Sequence, residues 1–205
     1  MRIVTFYNNK YYKNIAARLM QTGKALGYDI IPKHVSCSRW ETAVSMKPGV
    51  LLAEYSKSKT EPLLYLDADI FLQRPLEELF DIVSASDISV RFRNDPNCEP
   101  YNLGVIGFGV KNYALVVKFL NAWALKMKTL AQFKQSVDQN PFCDILPAFP
   151  QLILTDITRK FNFLPADGAT HNKSDAAIWH YKASRDLENE TSRQWRKLFC
   201  KKEIT

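Results

Sequence analysis

Cysteine is sparse and dispersed in this 205-residue chain: Cys37, Cys98, Cys143 and Cys200 stand far apart, with no Cys-x-x-Cys pair. That spacing argues against a zinc site or a redox motif, and the four are read as reduced thiols. No apolar run reaches the roughly 20 residues that cross a bilayer. No internal repeat, low-complexity tract or linker-like shift in composition divides the chain. The opening residues Met1-Arg2-Ile3-Val4-Thr5-Phe6 run straight into strand-like sequence and leave no room for a signal peptide. The expectation from these absences is a soluble, cytoplasmic protein forming one domain over residues 1–205.

Acidic residues are the minority, 21 Asp and Glu against 28 Lys and Arg, for a formal charge of +7. An excess of that sign points to acidic partners: nucleic acid, a phosphorylated small molecule or an anionic membrane surface. Hydrophobic content of 46% and aromatic content of 12% exclude a disordered chain and supply one sizeable core.

The apolar pattern alternates between strand-like and helix-like segments. Residues 2–6 form a β-branched and aromatic run. Tyr12, Ile15, Ala16, Leu19, Met20, Gly23 and Leu26 then recur at helical spacing, with Gly27 as the stop. Residues 30–35 read as a strand that Pro32 confines to a sheet edge. Pro48 is placed to open a helix through Leu51, Leu52 and Tyr55. Residues 62–66 are continuously apolar, as in a central parallel strand, and end in Asp67-Ala68-Asp69. A helix follows Pro75, and a long one carries Tyr113, Val116, Val117, Leu120, Ala124 and Met127. Residues 87–93, 103–109, 152–154, 161–164 and 176–179 read as further strands, and the C-terminus as a basic helix. This alternation predicts an α/β fold with a mostly parallel central sheet flanked by helices, whose ligands bind beyond the strands' C-terminal ends.

Asp67 and Asp69 sit at such an end. Asp-x-Asp alone often marks only a turn or a cap. Here an apolar strand precedes it and Ile70-Phe71-Leu72 follows, and two acids packed between such neighbours repel unless a cation or proton lies between them. Hard divalent cations take oxygen ligands and neutralise phosphate charge.

The run Leu64-Tyr65-Leu66-Asp67-Ala68-Asp69-Ile70, with Pro75-Leu76-Glu77-Glu78-Leu79-Phe80 after it, resembles the central signature of GT-A glycosyltransferases, most nearly family 8. Other segments resemble that family's motifs in order: Val4-Thr5-Phe6 with Tyr11 and Tyr12, Asn102-Leu103-Gly104-Val105, Asp138-Gln139, and Ile178-Trp179-His180-Tyr181. The resemblance spans residues 3 to about 185. It implies a single-domain, Rossmann-like GT-A fold with a nucleotide-binding half (about 1–90) and an acceptor half (about 91–205). It implies transfer of a hexose from a nucleotide-diphosphate sugar, UDP-linked, to a hydroxyl of a glycan, lipid or protein, with retention at the sugar carbon.

The roles follow from the resemblance residue by residue. Asp67, Asp69 and His180 hold manganese or magnesium; Thr5, Phe6, Tyr7, Tyr11 and Tyr12 contact the nucleotide. Asp67 and Gly104 serve the rest of the donor, Gly104 by letting it approach closely; read from the residues rather than the resemblance, Ala68 keeps bulk away from the phosphates, and Lys47 and Lys182 are placed to contact the diphosphate. Asn102 points into the sugar pocket, with Asp138 and Gln139 near its reacting carbon. The bland readings are a packed histidine, a turn at Asn102, a helix start at Asp138, a core-packed Tyr12 and a solvated Lys47. The family's Gly and Lys-Pro-Trp after the histidine are missing, so Lys182 and Arg185 compete for the diphosphate contact. The basic C-terminal stretch from Arg193 to Lys202 fits weak peripheral membrane contact or a packed terminal helix. A nucleotidyltransferase is the enzymatic alternative, but Phe6-Tyr7-Asn8-Asn9-Lys10 holds no Gly-rich loop. A nucleic-acid-binding module is disfavoured because its basic residues are scattered, and no nucleic-acid partner is expected.

Overall fold

The computed structural model describes residues 1–37, 40–93, 99–131, 138–164 and 173–181. Lys182, Arg185 and the basic C-terminal stretch lie outside them. The main sheet holds β1 (Arg2–Tyr7), β2 (Ile30–His34), β3 (Leu63–Leu66), β5 (Ile88–Phe92), β6 (Tyr101–Phe108) and β7 (Leu154–Asp156). Their order is β2-β1-β3-β6-β5-β7. β1 pairs in parallel with β2 and β3, and β5 with β7, while β6 runs against both of its neighbours. All strands but β6 therefore point one way. Two further strands, β4 (Ile70–Leu72) and β8 (Ile178–His180), pair antiparallel as a separate ribbon.

Side chains alternate across the sheet and so divide the core in two. On one face Val4, Phe6, Leu63 and Tyr65 pack with α2 (Trp40–Tyr55) and α4 (Tyr113–Ala131). On the other, Ile3, Leu64 and Leu66 pack with α1 (Lys10–Ala25) and α3 (Glu77–Ala85). All four residues of β3 are buried, each leucine contributing about 1.5–3 kcal/mol of apolar transfer. A short α5 (Gln139–Ile145) packs Phe142 against Phe119 and Trp123 of α4.

Local sequence explains the boundaries. Asn9 caps α1 by accepting from the Tyr12 N–H at 3.0 Å. Gly27, at φ +83°, ends it: the Tyr28 N–H returns to the Gly23 carbonyl and the Gly27 N–H to that of Lys24, a paired closure that needs a left-handed residue. Pro32 lies on β2, at the sheet edge where a missing N–H is tolerated.

Three expectations are corrected. The helix expected to open at Pro48 starts at Trp40, with Pro48 inside it. The proline deletes one helical hydrogen bond, but Ala43, Val44, Leu51 and Tyr55 are buried against the sheet, and that packing carries the helix through. Residues 161–164 are no strand: a 3-10 turn (Arg159–Phe161) is followed by a single bridge from Phe163 to Trp179. Phe161, Phe163 and Leu164 are all buried, so packing rather than pairing accounts for the apolar run. The strand expected at 152–154 lies two residues later. Cys37 and Cys143 are free thiols. Among the described residues no helix is long and apolar enough to cross a membrane.

Candidate active site

A cleft of about 860 Å³, counting the space open to solvent, lies across the C-terminal ends of the parallel strands. Phe6, Tyr7 and Asn8 reach it from the end of β1, Asp67, Ala68 and Asp69 from the end of β3, and Arg93 from just past β5. Because β6 is reversed, its start delivers Asn102 to the same end of the sheet. The β5–β6 register jumps between Val90 and Arg91, pairing Arg91 with Asn102, and such an irregularity re-aims the side chain beyond it.

Asp67, Asp69 and His180 come together here: one ligand atom from each lies within 4.8 Å of the other two. His180 Nε2 is 3.2 Å from Asp69 Oδ1 and 3.6 Å from Asp67 Oδ2. The β4–β8 ribbon enforces this by setting Ile70 opposite His180 and tying the Tyr181 N–H to the Asp69 carbonyl at 2.9 Å. Asp67 is held by its own N–H on the Gly104 carbonyl at 2.8 Å. Burial pushes the Asp67 carboxyl above its usual range, and the pull of Lys47 and His180 does not reverse this. Burial works against a charged His180, yet the adjacent Asp69 and Asp67 raise its pKa above the ordinary imidazole value. Two carboxylates and an imidazole turned on one another favour a proton or a cation between them, and this oxygen and nitrogen donor set suits a divalent ion.

Lys47, in the middle of α2, is neither solvated nor at a helix start. It is 4% exposed, with Nζ 2.5 Å from Asp138 Oδ2, 3.1 Å from Asp67 Oδ1 and 3.4 Å from the Leu103 carbonyl. Burial alone lowers a lysine pKa, but the Asp138 and Asp67 carboxylates outweigh it and drive the value well up, so the ammonium keeps its charge. Asp138 stands at the N-cap of α5 without capping it, its carboxylate turned to Lys47 instead. The Trp123 indole N–H holds the Asp138 carbonyl at 3.2 Å. Tyr65, whose phenol burial keeps protonated, donates to Asp67 Oδ1 at 2.5 Å.

The remaining candidates separate. Phe6, Tyr7, Tyr12, Ala68, Asn102 and Gln139 line the cleft. Half-buried Tyr12 faces it rather than the core, and Asn102 Oδ1 accepts the Gly104 N–H. Thr5 is buried within β1, and Tyr11, 40% exposed, stacks edge-on against Tyr12; neither lines the cleft. Gly104 backs onto His180: a Cβ there would lie 2.2 Å from the ring. Sequence reasoning passed over Tyr65, Asn8 and Asn162. Tyr65 shares the strand face of Asp67 by the two-residue period. Asn162 was a lone amide between two phenylalanines, a mark of a buried polar group with partners. Asn8 Nδ2 and Gln139 Oε1 are buried at the cleft with no hydrogen-bond partner among the described residues.

No family model and no curated protein matches the sequence, but solved structures match the fold. A glycosyltransferase involved in glycosylation of the major capsid of PBCV-1 superposes with a TM-score of 0.66, over 87% of this chain and 92% of its own, at 15% identity. The galactosyltransferase LgtC, solved with donor and acceptor sugar analogues, gives 0.59 over 100% and 97%, at 14% identity. The glycosyltransferase GlyE of Streptococcus pneumoniae TIGR4 gives 0.63 over 92% of this chain and 56% of its own, at 13% identity. The chain has the GT-A glycosyltransferase fold. Within this GT-A fold, the acidic pair, the histidine and the buried lysine all meet at the C-terminal ends of the strands, where open α/β sheets take their ligands.

Proposed function

We propose that the protein is a glycosyltransferase of the family 8 type, taking a hexose from a UDP-sugar to a hydroxyl of a glycan, lipid or protein. The observation that carries this reading is the convergence of Asp67, Asp69 and His180 on one point of the cleft. These residues fit a divalent ion, manganese before magnesium because an imidazole is among the donors. When bound, such an ion neutralises the diphosphate that departs with the nucleotide.

The protein's own groups do the rest. Tyr7 and Tyr12, on the cleft wall beside β1, offer aromatic faces to the base and ribose. Asn8 Nδ2 and Gln139 Oε1 gain the partners they lack when a polar ligand enters, so desolvating them is offset only by a substrate of matching polarity. Arg93 adds a cation at the rim. The Asp138 carboxylate lies on the cleft wall, 2.5 Å from Lys47 Nζ. Fixed there by a buried ammonium, it is placed to support positive charge developing on the sugar, which favours retention. Thr5 and Tyr11 act behind the nucleotide-contacting residues in this reading, and Lys182 serves the diphosphate.

A thermal-shift panel of nucleotide sugars with manganese or with a chelator tests the proposal. Stabilisation by one UDP-sugar only when metal is present supports it; no metal-dependent shift with any nucleotide sugar contradicts it.

A further inference from the structure

Asn162 follows the 3-10 turn at Arg159–Phe161 and is fully buried. Its carbonyl accepts from the Arg91 guanidinium at 2.7 Å, and its N–H bonds the Arg159 carbonyl at 3.3 Å. The next residue, Phe163, is laced to the strand that carries His180: its N–H reaches the Ile178 carbonyl, and the His180 N–H returns to the Phe163 carbonyl. The Asn162 side chain thus has a fixed base. It spans two groups of the cleft, with Nδ2 2.7 Å from Asn102 Oδ1 and Oδ1 3.3 Å from His180 Nδ1.

The two ends of an amide have one shape, as do the two nitrogens of an imidazole, so their protons are assigned from a donor whose identity is beyond choice. That donor is the Gly104 backbone N–H, 3.0 Å from Asn102 Oδ1. The group that accepts it is an oxygen. Asn162 must then turn its NH2 to that same oxygen, because two carbonyls 2.7 Å apart repel. Its own carbonyl is left facing His180, and only a protonated Nδ1 can meet it. In a neutral imidazole the lone pair then sits on Nε2, the nitrogen that faces Asp69 and Asp67.

We infer that Asn162 is the positioning residue of the site: through the chain from the Gly104 N–H to Asn102 to Asn162, it holds His180 as the Nδ1–H tautomer and presents the Nε2 lone pair to a cation at the acidic pair. The cation part rests on the reading under Proposed function, whereas the tautomer follows from the hydrogen bonds alone. Metal-bound histidines commonly donate their second N–H to a carbonyl, which fixes ring and tautomer together. Gly104 serves the arrangement twice, since its N–H starts the chain and its missing side chain leaves room for the ring.

The direct test is a long-range 15N–1H spectrum of the full chain with labelled histidine, metal-free and alkaline enough to leave His180 neutral, assigned by loss of its signals in His180→Gln. A proton on Nδ1 is expected; a proton on Nε2 overturns the inference. Asn162→Ala should weaken manganese binding, read by electron paramagnetic resonance, by about 10- to 100-fold. That loss should vanish in a His180→Ala background, because Asn162 acts through the ring. The same loss in both backgrounds, or none in either, refutes the positioning role. If the parent binds no manganese yet shows Nδ1–H, the metal-site reading fails and the cation part of the inference with it. Intact manganese binding with Nε2–H sinks the role of Asn162 alone.

Discussion

Replacing Lys47 by methionine removes a charge while keeping most of the side-chain volume, and it isolates the electrostatic link between Asp67 and Asp138. Lys47 Nζ lies 3.1 Å from the first and 2.5 Å from the second. At an effective dielectric constant near 20, the two attractions amount to about 5 and about 7 kcal/mol before desolvation is subtracted. Desolvation of a buried ammonium offsets much of this, and breaking a buried pair by deleting one partner costs about 3–5 kcal/mol in practice, because charges are left behind. For a chain of this size such a loss lowers Tm by roughly 6–20 °C. The sign of the pH effect follows. Burial already raises the Asp67 pKa against the pull of Lys47; without the ammonium it rises further, so the variant regains stability relative to the parent as pH falls. Denaturant titrations of parent and Lys47→Met at pH 7.5 and pH 5.5 measure this. The expected result is a deficit of about 3–5 kcal/mol at the higher pH that narrows at the lower one. A deficit under about 1 kcal/mol, or one that widens on acidification, refutes the reasoning.

Three further outcomes are expected. Gly104→Ala drives a methyl into the His180 ring, so it should destabilise the fold by about 1–3 kcal/mol and weaken manganese binding in a calorimetric titration; unchanged binding would show that the ring is not seated by this contact. Because the folded His180 pKa is raised, its stabilising share is fully present below about pH 6.5 and is lost as pH rises through the folded value. Metal-free melting temperatures should therefore fall relative to His180→Gln over that rise, with added manganese restoring more at higher pH. Burial, then Glu99 and Asp144, push the Cys143 thiol up to about 11, leaving about one thiolate in a thousand at pH 8; site-resolved iodoacetamide labelling should find it far slower than a free thiol, and equal rates would contradict the buried placement.

The alternation of strands and helices was legible because β3 is an unbroken apolar run and α4 carries an unbroken helical repeat. Pro48 misled because a proline's local preference marks a helix start, whereas the apolar stripe from Ala43 to Tyr55 outweighed its missing N–H. Asp67 and Asp69 stood out as charges at the end of an apolar strand. Their surroundings did not, because those are made by long-range contacts: Lys47 meets Asp138 across 91 residues (138 − 47), and Gly104 takes its shape from His180, 76 residues away (180 − 104). Asp138 read as a helix start by local rules, and it is one. Only the three-dimensional structure shows that its carboxylate has left the helix for a buried lysine.

The central claim is that a divalent ion on Asp67, Asp69 and His180 recruits a nucleotide diphosphate. Calorimetric titration of UDP into the full chain, with manganese and with chelator, for the parent and for Asp69→Asn, tests it most directly. The account predicts binding by the parent that requires manganese and is lost in Asp69→Asn. UDP binding that is equally tight with chelator, or that survives Asp69→Asn unchanged, would contradict it.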